Sequence, residues 1–498
     1  MPADDRRAVV TRRARAFVVG LLIATVSCTD GRRPGAGASP TTTGTVTSEE
    51  GVRRELPAVL RVAVVDRDEA LLAIADGDAV SLTRVDREAA PRWVQPLPGP
   101  VRTDWSDVFA VDGERVIVWG RDIQIRALAD GSSRSSISEV PARLIARRDE
   151  LRPLRPSARD GRLFVPLTDI RSTWITAFDA DSGAELWHIE RPGQTNLVPL
   201  PGDHVRVRVG DTRPLTSDES PEQLEVLHAA TGASVWSVMH DGVCEADGWL
   251  VAATPDGAVA VWDSERAAPR PSISEVAWPP AGRLADCHRS GDRLWLVVEK
   301  LGLLEPSTWT ILEPGDSGLR PRLRVSGAQA GTFALGKWLP LLSESPAVGA
   351  ALLDIEAGRV SWSQDPSVDP SSYRHWSASE EALLLEGHVD RTSTYLAIDR
   401  SSGAPLGGVE VSGASLLARG HGLLWFIAWE QERGAPVALA VLDARTLRPV
   451  DTPGRGITVT DRGEVIRSAW RTAAPDAGAA WGLVDLTETS SPPRGPRR

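Results

Sequence analysis

One spacing recurs along this chain: a polar residue, a Gly four positions later and a Trp eight positions later. It runs Asp179, Gly183, Trp187, then His228, Gly232, Trp236, then Asp354, Gly358, Trp362. Asp399 to Gly403 keeps the turn without the Trp, and Asp443 to Thr446 keeps only the Asp and Thr. Each copy follows an apolar stretch, as expected of a strand that arrives at a turn. The Asp carboxylate can cap that turn, and Gly takes a left-handed conformation that other residues avoid. The strand that leaves carries a large ring outward to pack on a neighbour. Asp179 to Gly183 resembles the start of a calcium loop, but the remaining ligands are missing and the turn explains it. Three copies at one spacing mark a repeated supersecondary unit.

A second element accompanies the first. Residues 248–263 (GWLVAATPDGAVAVWD) place two short strands around a Pro-Asp-Gly turn. Both strands are apolar on both sides, the pattern of sheets covered on each face. Similar units lie near residues 70–92, 115–131, 294–318, 423–449 and 465–486. The chain holds 18 Trp against 6 Phe and 2 Tyr, which suits a Trp used once per unit.

The strand, D-x-x-[ST]-G and Trp signature resembles the repeat of pyrroloquinoline-quinone (PQQ)-like β-propellers, across roughly Arg61 to Leu486. That family includes quinoprotein dehydrogenases and the propeller lipoprotein of the outer-membrane barrel assembly machinery. The resemblance implies an all-β fold, a propeller of four-stranded blades over residues 58–488. The units number about ten, but eight blades are usual in the family, so eight are expected within a range of seven to ten. Stacking blades around an axis buries both faces of each small sheet, at ~1.5–3 kcal/mol per large apolar side chain.

The amino terminus reads as an address. Arg6, Arg7, Arg12, Arg13 and Arg15 precede an apolar core, Ala16 to Val26, that is short for a membrane span. Ser27-Cys28 then resembles a bacterial lipoprotein cleavage box, so residues 1–28 are expected to be a signal with Cys28 lipidated. A twin-arginine signal or a plain signal peptide is the alternative. Residues 29–57, rich in Gly, Pro and Thr, fit a disordered tether, and 489–498 a disordered tail.

Cys244 and Cys287 remain, 43 residues apart, which is one repeat. In a propeller they occupy equivalent places on neighbouring blades, near the strands closest to the axis. Export permits a Cys244–Cys287 disulfide there, and the alternative is two buried thiols. His288 beside Cys287 is expected to be solvated.

Catalysis finds little support. Quinoprotein dehydrogenases sandwich their quinone against a disulfide of adjacent cysteines, and this chain has no adjacent cysteines and no C-x-x-C-H haem motif. The 8 histidines form no H-E-x-x-H or H-x-H cluster, and neither G-x-S-x-G nor a P-loop occurs. No cofactor, metal or catalytic residue is therefore assigned. A net charge of -11 argues against nucleic acid as partner. The expected function is an extracytoplasmic, membrane-anchored module that binds or scaffolds another envelope or extracellular protein. The alternative is a PQQ-dependent dehydrogenase or another propeller enzyme acting on alcohols or carbohydrates.

Overall fold

A computed structural model describes residues 45–47, 53–55, 58–76, 79–86, 89–97, 108–120, 122–138, 141, 144, 151–169, 171–210, 222–300, 308–316, 318–326, 328–330, 336–343, 349–365, 367–368, 372–378, 382–389, 392–429, 436–450, 456–474 and 477–486. Of the described residues 67% are strand and 3% helix, and the fold is an all-β propeller of nine blades. Eight blades were the central expectation, and nine fall within its range. The leader with Cys28, most of the tether and the tail from 489 lie outside the described residues. Within the stretch expected to be tether, Thr45–Thr47 and Arg53–Glu55 pair as an antiparallel two-stranded unit.

The blades follow one another along the chain: residues 58–96, 109–138, 152–192, 195–240, 242–273, 283–326, 328–364, 372–412 and 415–443. Each is an antiparallel meander whose first strand lies innermost and whose later strands step outward. A strand buried on both faces needs apolar residues at odd and even positions alike. Blade 9 shows the consequence. Leu423, Trp425 and Ile427 pack with Leu72 and Val85 of blade 1, while Leu424, Phe426 and Ala428 pack with Tyr395 and Val411 of blade 8. Among the described residues every pair of neighbouring blades shares such a core. The blade 9 to blade 1 core closes the ring.

The turn between the third and fourth strands is the repeated device. Asp179 Oδ1 accepts the Ser182 N–H at 2.8 Å, Asp354 accepts Ala357 N–H at 2.9 Å, and Asp399 accepts Ser402 N–H at 2.9 Å. These bonds to the ionised form hold the Asp179 carboxyl low through Ser182, and that of Asp399 to about 2 through Ser401 and then Ser402. Four residues on, the chain is left-handed: φ is +70° at Gly183, +69° at Gly232, +70° at Gly358 and +70° at Gly403. The geometry outlasts the glycine, because Ala267 and Leu447 take the same position with φ of 51° and 55°. A bulge follows in the third-to-fourth strand ladder, as between Ala177 and Phe178 or Val226 and Leu227.

The tenth unit expected near residues 465–486 is not a blade. After blade 9 the chain turns back and runs along the outside of the ring as a belt. Thr458–Asp461 adds a fifth strand to blade 8, Trp470–Thr472 one to blade 7, and Val484–Asp485 pairs with the outer strand of blade 6. Two short helices, α1 (Gly463–Ala469) and α2 (Ala477–Ala480), join them. The apolar spacing that suggested a hairpin serves a helical face: Ile466 and Ala469, three apart, turn inward together. Ile466, Trp470 and Trp481 anchor the belt and are all nearly inaccessible to solvent. Gly408 on blade 8 makes the room, since a Cβ there would lie 2.2 Å from Ile466 Cδ1.

Candidate functional site

The seams between blades position whatever surface the ring presents. Trp187 reaches from blade 3 to the turn of blade 4, where its indole Nε1–H donates to the Ala229 carbonyl at 2.7 Å. A Cβ on Gly232 would lie 2.8 Å from that ring. The Gly of the spacing thus serves twice, for its backbone angle and for the Trp of the preceding blade. Gly403 receives two rings, with Trp362 beside it and Trp338 donating to Arg400 O at 2.6 Å. Trp236 finds no Gly on blade 5 and packs half-buried against Trp262, centroids 6.1 Å apart. Sequence reasoning missed Trp93, which donates to Leu128 O at 3.2 Å with Gly131 beneath it. Its signal was present, seven residues after Asp86 instead of eight.

Cys244 and Cys287 form the disulfide, with Cα atoms 5.9 Å apart. They stand on the inner strands Gly242–Ala246 of blade 5 and Arg283–Ser290 of blade 6. These strands approach so closely that a Cβ on Gly242 would lie 3.0 Å from Leu284 Cβ. Beside the disulfide, burial pushes the Asp286 carboxyl up to about 7, although its Oδ1 accepts the Cys287 N–H. His288 is not solvated as expected. It is buried, and its Nε2 lies 2.9 Å from Glu356 Oε1 on the turn of blade 7.

Polar contacts between blades bridge several seams on the face that carries the repeat turns. Arg115 of blade 2 binds Asp181 of blade 3 through Nε at 2.7 Å, and Arg162 of blade 3 pairs with Asp203 of blade 4. Arg270 of blade 5 meets Asp292 of blade 6 at 2.9 Å. Asp112 of blade 2 accepts the N–H groups of Asp160 and Gly161 of blade 3 at 2.9 and 2.8 Å. Most connections on this face are short and pinned. The exception is the connection over residues 331–337, which joins the first two strands of blade 7.

The opposite face differs. Segments 98–107, 139–150, 211–221, 301–307, 344–348 and 430–435 all join strand ends there, because connections from the last strand of one blade to the first of the next and from second to third strands share that face. Among the described residues no group of three or more His, Cys, Asp or Glu could hold a metal ion. No helix there is long and apolar enough to cross a membrane.

These features define a closed nine-bladed β-propeller with one pinned face, one loop-bearing face and a belted rim. No protein-family model matches the chain, and no curated protein matches it. Similar solved structures include BamB from Moraxella catarrhalis, at 14% identity over 66% of this chain and 82% of that one, TM-score 0.32. Apo AztD from Citrobacter koseri is 12% identical over 69% and 95%, TM-score 0.36. Quinohemoprotein alcohol dehydrogenase ADHIIG from Pseudomonas putida HK5 is 12% identical over 75% and 72%, TM-score 0.32. Likeness at this level carries no argument about function, and the fold rests on the chain's own strand pairing.

Proposed function

We propose that this chain is an extracytoplasmic propeller, tethered through a lipid on Cys28, that binds or scaffolds another envelope protein with its loop-bearing face. The observation that carries the reading is the contrast between the two faces. Short turns locked by Asp caps and inter-blade ion pairs make one face rigid. The longer connections on the other face sit on that rigid base, the arrangement in which loops serve recognition. The small-residue-Cys step after the apolar core supports the lipid anchor, and the Gly-, Pro- and Thr-rich stretch after it suits a leash.

The test has two arms. Cys28→Ala in the full chain should abolish incorporation of labelled fatty acid and release the protein from membranes. Photo-crosslinkers at positions 103 and 304 should capture a discrete protein in the native envelope, while a crosslinker at position 114, in the pinned face, should not. Capture through position 114 alone would overturn the assignment of the face. If the purified chain instead retained PQQ with calcium and oxidised alcohols or sugars, the scaffold reading would give way to the enzyme.

A further inference from the structure

Blades 1 to 5 end on outer strands with no further strand beyond them among the described residues: Pro91–Pro96, Ser133–Ser138, Glu185–Pro192, Ser234–His240 and Ala268–Ile273. An outermost strand turns part of its N–H and C=O groups away from its sheet, and so can template another strand. Proteins blunt such edges with proline or with charge. Four of the five conform: blade 1 has Pro91 and Arg92, blade 2 Arg134, blade 3 Glu190, and blade 5 Pro269 and Arg270. The edge of blade 4 does not. Its sequence, SVWSVMH, holds no proline and no Asp, Glu, Lys or Arg. His240 at its end is buried, and burial lowers its pKa to about 4, so the strand is neutral. Val235 and Met239 stand 41% and 45% exposed, and Trp236, which no blade 5 glycine receives, is half-buried. Residues 222–300 are described without a gap, so the chain that leads into this strand and out of it is in place.

We propose that this edge is an interface between two copies of the chain, in which Ser234–His240 pairs antiparallel with itself about a two-fold axis at Ser237. Two blades of four strands would join into one sheet of eight. The strand's own sequence argues for a second copy. About that axis Val235 lies opposite Met239 of the second copy, Trp236 opposite Val238, and Ser237 opposite Ser237. Each of the two exposed apolar side chains thus covers the other, and the hydroxyls meet each other. Like charges set opposite one another destabilise a strand pair, and here none are. A partner of another sequence would have to bring an apolar strand, whereas this edge supplies one to itself. A two-fold contact uses the strand up on both copies, so association stops at the dimer.

The surroundings confine the pairing to this one strand. The belt covers the outer strands of blades 6, 7 and 8. On either side of blade 4 stand the blunted edges of blades 3 and 5. A single strand pair covers less than the ~800 Å² per partner of a standard interface, so the dimer forms and separates with concentration.

Sedimentation equilibrium of the full chain tests this from about 1 to about 500 μM, the range over which a contact of this size associates. The weight-average mass should climb toward twice that of the chain and no further. Val235→Lys/Met239→Lys places a charge at each exposed position and should weaken the dimer by roughly tenfold or more. A chain that stays monomeric throughout would overturn the proposal, as would association that survives the two lysines or grows past the dimer. A photo-crosslinker at position 237 reads the contact without altering either apolar residue. Links to residues 234–240 of a second copy support the proposal. Links to any other part of that copy, or to a different protein in the native envelope, refute it.

Discussion

The indole ring of Trp187 occupies the space that a side chain on Gly232 would need, with ring carbon Cδ2 2.8 Å from the position of a Cβ. Gly232→Ala therefore combines a left-handed backbone with an overlap. It should cost about 2–4 kcal/mol in denaturant unfolding, the sum of both penalties. Gly113→Ala shares the positive φ but has nothing within 4 Å, so it should cost about 1 kcal/mol. Equal costs would show that the ring contact contributes nothing.

The disulfide closes a loop across one seam. Replacing Cys244 and Cys287 together by Ser should lower stability by about 4 kcal/mol on the chain-entropy account of a loop this long. Because both cysteines are buried, the native protein should resist mild reductant and lose the bond only once denaturant opens the ring. Reduction of the folded protein, followed by free-thiol counting, checks this.

Two buried groups should drive stability in opposite directions with pH. Burial raises Asp286 to about 7, so between pH ~4 and ~7 the folded state binds a proton that the unfolded chain does not, and stability falls as pH rises. Burial lowers His240 to about 4, and its ring nitrogens have no hydrogen-bond partner among the described residues. Between pH ~4 and ~6.5 the unfolded chain therefore binds the extra proton there, and stability climbs as pH rises. The two slopes offset in the native protein. Asp286→Asn should leave a rising profile over pH 4–6.5, and His240→Gln a falling one over pH 4–7, in urea melts across that range.

The belt shields three outer edges. Removing residues 456–486 should leave the outer strands of blades 6, 7 and 8 bare and shift the protein toward oligomers in light-scattering chromatography. Ile466→Ala keeps the belt's backbone and should cost about 2–5 kcal/mol, as for a fully buried aliphatic side chain. A monomeric deletion variant with unchanged stability would make the belt ornamental.

The sequence carried the local half of this architecture. Asp179, Gly183 and Trp187 encode a cap, a backbone angle and a docking ring within nine residues, so the hairpins were legible from spacing. The bridge between Cys244 and Cys287 was legible for the same reason, because one repeat in sequence is one blade in space. Ala267 hid one copy of the turn and Leu447 left another recognisable only by its Asp and Thr, since neither residue type advertises a positive φ. The belt misled because Val465, Ile466 and Trp470 give an apolar pattern too short to separate helix from strand. His288 could not be placed from its neighbours in sequence, because its partner Glu356 lies on the next blade.

The backward course of the belt sets an order of assembly. Synthesis delivers blades 6, 7 and 8 well before Val484–Asp485, the strand that covers blade 6. Until the last segment emerges, three consecutive outer strands wait uncovered, and they are then sealed in reverse: 8, 7, 6. A polypeptide halted between residue 443 and residue 485 thus holds a complete ring with a raw flank, a form that quality-control proteases and chaperones could tell apart from the finished molecule.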